Sequence, residues 1–187
     1  MSFFGKLFGG KGVQNKNSQS KNTNYSYVAE IAGLISSNNE RLCENIELSL
    51  VDPAKYFEEN AERFGERCID VKTADRDTLH WISLVDELSE CGFLFGVDYK
   101  CELEDFLWAL EQLKSFGLIS KEIFELEFSE NDDPVVWGRQ INNACGGACV
   151  CWVDIDSDSY ELIIVTDEVY EKISRTAENS GHRIVKY

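Results

Sequence analysis

Ala148-Cys-Val-Cys-Trp-Val153, Asp156-Ser-Asp-Ser159 and Leu162-Ile-Ile-Val165 decide the class of this fold. The first and last are apolar at both parities, the pattern of strands covered on both faces. The stretch between them is turn chemistry, so the two runs form a hairpin. Thr166 follows as an N-cap, with Asp167 and Glu168 in the first turn of a helix that Ser180-Gly181 ends. Arg183 to Tyr187 makes a last short strand. The C-terminal third is therefore a hairpin–helix–strand unit.

Working outward from it, the first half reads as helical. Tyr27 to Ile35 is apolar enough for a packed helix. Asp52 before Pro53 is an N-cap followed by proline at the first helical position, opening a helix to about Arg67 that buries Phe57, Ala61 and Phe64. From about Asp77 to Cys91, residues Trp81, Leu84, Val85 and Leu88 fall at i, i+3, i+4, i+7, and Gly92 ends the helix. Phe93 to Tyr99 fits a strand. Glu102 to Phe116 is a second strong helix with Leu103, Phe106, Leu107, Leu110 and Leu113 on its stripe, stopped by Gly117. Asp133 caps a helix from Pro134 to about Ala144, which Gly146-Gly147 stops. The expected fold is α+β: a helical first half packed on a small, mostly antiparallel sheet. The alternative is a mixed sheet, with two strands paired in parallel through helix 167–180.

Charge divides the chain. Residues 1–24 hold Lys6, Lys11, Lys16 and Lys21 and no carboxylate. All 34 acids lie between Glu30 and Glu178, against 14 of the 18 Lys and Arg, so residues 25–187 carry a formal −20 within the total of −16. A body this acidic repels nucleic-acid phosphates and anionic lipid and is steered toward basic protein surfaces. Residues 1–24 have the composition of a flexible basic and polar tail, and 25–187 the length of one domain. Phe3-Phe4-Gly5-Lys6-Leu7-Phe8 reads as a frayed terminus or a short sticky anchor, too short for a signal peptide. No apolar run approaches the ~20 residues of a membrane span. Seven cysteines, an odd number without a secretory signal, indicate reduced thiols and a cytoplasmic setting.

The motifs that could carry chemistry fall short. Gly5-x-x-x-Gly9-Gly10-Lys11-Gly12 lacks the hydroxyl after lysine and the strand before the first glycine that a phosphate loop needs. Asp154-x-Asp156-x-Asp158 has Ser159 and Val165 where a calcium loop needs glycine and a bidentate glutamate. Cys145-x-x-x-Cys149-x-Cys151 has no second ligand pair, since His80 and His182 stand far off in sequence, and buried small hydrophobes are the default for such thiols. No catalytic residue, metal or cofactor is expected. The alternative is an enzyme with a carboxylate or thiol site near Asp98 or Cys149.

Trp108 stands apart from the other tryptophans. At 100° per residue it points away from the leucine stripe of its helix and shares a face with Glu104 and Glu111. Either a second element covers that face, or Trp108 is exposed among acids as a protein-binding hot spot. Residues 122–133 add six acids and no base. The candidate partner-binding set is therefore Asp98, Lys100, Glu104, Asp105, Trp108, Glu122 and Glu125, in a non-enzymatic protein that binds a basic protein partner.

The block from Trp81 through Asp86, Gly92, Asp98, Lys100, Glu104 and Asp105 to Phe106, followed by Asp154-x-x-Ser157-Asp158-Ser159-Tyr160-Glu161-Leu162, resembles a family of small acidic bacterial proteins of unknown function. The resemblance covers roughly residues 77–187. It implies a bacterial cytoplasmic α+β domain and brings no activity with it. Toxin-immunity proteins offer an analogy of size and charge only.

Overall fold

A computed structural model describes residues 25–187. The basic segment 1–24, with its phosphate-loop-like glycines and its Phe/Leu cluster, lies outside the described residues. The fold is α+β. The helices are α1 (Ser26–Ser36), α2 (Glu40–Val51), α3 (Pro53–Glu59), α4 (Ala61–Glu66), α5 (Arg76–Glu90), α6 (Leu103–Gln112), α7 (Ser120–Ile123), α8 (Pro134–Ala144) and α9 (Asp167–Asn179). The strands are β1 (Phe95–Asp98), β2 (Ala148–Val153), β3 (Ser159–Thr166) and β4 (Ile184–Lys186).

The sheet order is β1-β3-β2-β4, and every pairing is antiparallel. β2 and β3 form the expected hairpin, with Val150 opposite Ile164. β1 occupies the free edge of β3, with Phe95 opposite Leu162. That edge being filled, α9 carries the chain past the hairpin to the other side, where Trp152 faces Val185. The mixed sheet therefore does not form: β3 and β4 run parallel, but β2 lies between them.

The hairpin is covered on both faces, as its double-parity apolar pattern requires. Cys149, Cys151, Val153, Ile163 and Val165 face α1, α5 and α9. Ala148, Val150, Leu162 and Ile164 face α6 and α8. A third cluster, with Tyr56, Phe57 and Phe64, packs on Leu79 and Ile82 of α5. α5 is thus enclosed on several sides, and its residues from Leu79 to Leu88 are all buried.

The local signals behave as their chemistry predicts. Asp52, Asp75, Asp133 and Thr166 each accept a backbone N–H at a helix start. Gly92 has φ +72° and lets Phe93 N–H close on Leu88 O at 2.8 Å, a left-handed helix end. Four boundaries differ from expectation, the first being β3, which begins at Ser159 within the expected turn, three residues before the apolar run 162–165. The helix expected from Pro53 to Arg67 breaks at Asn60, where the caps of α3 and α4 meet, and Ala61 is exposed. The helix expected to reach Phe116 ends at Gln112, and a 3-10 turn at Phe116–Leu118 takes Gly117 into itself. The strand expected over 93–99 pairs only from Phe95 to Asp98. α2 is an addition. Its buried side is Leu42, Ile46 and Ser49, an apolar stripe too thin to stand out in the sequence.

Candidate functional site

α6 presents two faces. Phe106, Ala109, Leu110 and Leu113 are buried against the sheet. Leu103 and Leu107, expected on that stripe, are only half-buried and lie at its edge, beside an open groove. Trp108 stands in this groove 52% exposed, its ring edge-on to Phe95 at 5.1 Å. Of the two alternatives for this side chain, exposure among acids is the one realised.

The opposite wall comes from the acidic segment before α8. Ser129 holds that segment in place: its carbonyl accepts Trp137 Nε1–H at 2.8 Å, and its hydroxyl accepts Asn131 N–H at 3.3 Å. Asp133 caps α8 and faces the groove. The groove has a volume of about 860 Å3 and is lined by six carboxylates: Glu102, Glu104, Glu111, Glu130, Asp132 and Asp133. Among the described residues lining it, Lys100 is the one cation, and its ammonium lies 4.8 Å over the ring of half-exposed Tyr99. Exposed aromatic rings beside unneutralised carboxylates can take a lysine or arginine side chain by ion pairing and by cation–π contact.

The candidate residues divide accordingly. Lys100, Glu104 and Trp108 line the groove. Asp105 is exposed on the same helix without lining it, and Asp98 is the last residue of β1, whose carboxylate accepts Lys100 N–H at 2.7 Å in the turn that follows. Glu122 and Glu125 lie around the end of α7, away from the groove. Tyr99, Glu102, Glu130, Asp132 and Asp133 were not among the candidates. The acidic run 122–133 was a visible signal, but its second half supplies the wall, and that pairing with α6 is tertiary.

Other reactive clusters are internal. Cys149 and Cys151 share one face of β2 and are fully buried; burial pushes the Cys151 thiol well above its usual range. Burial and nearby Asp105 and Asp98 raise Cys101 to about 11. Asp154 is held by Arg183 and accepts Asp156 N–H at 2.9 Å. Among the described residues, no group of three His, Cys, Asp or Glu is placed to hold a metal ion. The two histidines have separate surroundings. His182 stacks on Trp81 at 4.1 Å, and its Nε2 lies 3.0 Å from Tyr27 Oη and 3.2 Å from Asp77 Oδ2. Burial lowers its pKa against the pull of Asp77. His80 lies between Tyr25 and Phe57.

A larger polar cluster joins the helices to the sheet. Arg63 of α4 and Arg67, the residue that follows that helix, reach Asp86, Glu87 and Glu161, all three buried. Arg67 Nε donates to Asp86 Oδ1 at 2.9 Å and Nη1 to Glu161 Oε1 at 3.3 Å. Arg63 Nη1 donates to Glu87 Oε1 at 3.0 Å, and Tyr56 Oη and Asn45 Nδ2 each add a 2.7 Å bond to Glu87. The three carboxylates are satisfied from within, so the cluster is a clasp whose acids are not free for a ligand, while Arg63 Nη2 is buried without a hydrogen-bond partner.

The family model for a domain of unknown function (DUF6630) matches residues 28–187, and the chain belongs to that family. The match reaches well before the stretch 77–187 that carries the sequence resemblance. No curated protein and no solved structure matches the chain. Among the described residues, no helix is long and apolar enough to cross a membrane.

Proposed function

We propose that this protein is a non-catalytic binding protein whose groove beside Trp108 receives a basic segment of a protein partner. The observation that carries the reading is a half-exposed tryptophan in a groove lined by six carboxylates and a single lysine. Trp is the residue most enriched at binding hot spots, and the formal −20 of residues 25–187 steers cationic surfaces toward it. The seven cysteines are all unpaired thiols, which supports a reducing compartment such as the cytoplasm as the setting. An immunity or regulatory factor is the role that suits an acidic protein of this size. Affinity purification from the native cell at low salt tests it. The expected result is a basic partner that is retained by the wild type, lost on Trp108→Ala, and weakened as ionic strength rises. A partner whose affinity ignores both salt and Trp108 overturns the proposal.

A further inference from the structure

The chain carries a basic, aromatic segment of its own. Residues 1–24 contain Phe3, Phe4, Leu7, Phe8 and four lysines, with no carboxylate. They join the described structure at α1, whose start is fixed in place. The Tyr25 ring lies 4.3 Å from His80, and Tyr27 Oη donates to Asp77 at 2.8 Å. One helix turn along α5, Trp81 Nε1 donates to Asp154 O at 2.8 Å, at the start of the β2–β3 turn. The far side of that turn, Asp158 O, accepts Tyr99 N–H at 3.1 Å on the rim of the groove. Residues 1–24 therefore join the fold at the end of the sheet where the groove opens. The 17 residues from Phe8 to Tyr25 can span up to ~56 Å when extended, against ~10 Å for each packed layer to be passed.

A second open cavity, of about 340 Å3, lies between α1, α9 and the 3-10 turn, at the opposite end of β3. Its lining, which includes Leu34, Phe93 and Leu118, could take phenylalanine side chains. It has no carboxylate, however, and Lys114 lines it. Four lysines select the groove over this cavity.

We propose that residues 1–24 occupy the acidic groove as an intramolecular ligand, with their aromatic side chains against Trp108 and Tyr99 and their lysines facing the groove carboxylates. This rests on the groove being a site for basic segments, and adds that an outside partner must displace the chain's own one. A tethered competitor lowers the apparent affinity of anything added in solution.

The test uses a fluorescent peptide of residues 1–12 as probe. It is titrated into the full chain and into a full-length variant carrying Phe3→Ser, Phe4→Ser, Lys6→Ser, Leu7→Ser and Phe8→Ser. The variant is expected to bind the peptide at least about tenfold more tightly than the wild type, with binding lost on adding Trp108→Ala and weakened by salt. Equal affinity of the two proteins, or no binding to the variant, overturns the proposal. So does binding that survives Trp108→Ala and is lost on Leu118→Glu, which would place the segment in the apolar cavity. Self-association of the wild type that the variant lacks, seen by sedimentation, would move the segment to a second copy and overturn it as well. An unrelated arginine-rich 12-mer separates the two readings. If it binds the variant in a Trp108-dependent way while the tail peptide does not, the groove reading stands and the tail proposal alone fails.

Discussion

Two regions of this molecule use carboxylates in opposite ways. In the clasp, Asp86, Glu87 and Glu161 are 8%, 2% and 4% exposed and are met by Arg63 and Arg67. In the groove, six carboxylates stand in water with Lys100 as the one cation lining them among the described residues. A buried carboxylate needs a fixed cation and hydrogen bonds from within the chain, because burial disfavours its charge. An exposed one is hydrated, so its charge stays available to something from outside. Acidic residues alone therefore say little about function here. What matters is whether the fold has already supplied their partners.

The largest way to break that contrast is Arg67→Ala, which leaves Glu161 buried without a guanidinium and Asp86 with only Arg63 Nε at 3.9 Å. The expected cost is about 3–5 kcal/mol in denaturant unfolding. A loss below about 1 kcal/mol would mean that the clasp is as solvated as the groove.

Acid probes the helical layer that carries the clasp. His80 is 2% exposed, its Nδ1 has no hydrogen-bond partner, and burial lowers its pKa to about 4 from 6.5. A depressed histidine contributes stability above the unfolded value, and that stability is lost as pH falls toward the folded one. Wild type should therefore lose roughly 3 kcal/mol more than His80→Leu between pH 6.5 and 4. Asp86, raised by burial, acts in the opposite sense: its contribution is present below its unfolded value of 3.8 and is lost as pH rises. The difference between the two proteins cancels it. Parallel unfolding curves for the two across this range would refute the assignment.

A smaller effect tests the floor beneath the groove. A Cβ on Gly138 of α8 would lie 2.4 Å from Tyr187 Cγ. Gly138→Ala should destabilise by about 1–3 kcal/mol through overpacking, read from the thermal midpoint. Tyr187→Ala in the same chain should relieve part of it.

The smallest stability effect belongs to the groove itself. Glu104→Gln should change unfolding free energy by within about 0.5 kcal/mol and Trp108→Ala, which loses its edge contact with Phe95, by up to about 1 kcal/mol, while a basic partner is weakened at least about tenfold by Trp108→Ala and severalfold by Glu104→Gln. A large stability loss on either would turn these residues from surface into scaffold.

Much of the fold was legible because local chemistry repeats along it. Asp133-Pro134 opens α8, Thr166 opens α9, and the double-parity run 148–153 is β2 residue for residue. Asn60 was harder to read, because a break between two short helices leaves the apolar spacing of Phe57 and Phe64 intact. The site was half legible. Trp108 among Glu104 and Glu111 follows from helical rotation, but the wall built by Glu130, Asp132 and Asp133 comes from another element. Asp86 and Glu87 look like surface acids in sequence, and nothing local marks them as buried.

By itself, the sequence determined the elements that short-range rules govern: caps, stripes, the hairpin, and a separation of charge between residues 1–24 and the rest. Tertiary structure alone decided which carboxylates are neutralised and which are free, because that depends on which arginines, rings and walls long-range packing brings beside them. It also decided the strand order. β1 holds one edge of β3, so α9 must carry β4 to the other side of the hairpin, and no periodicity within either segment encodes that exclusion.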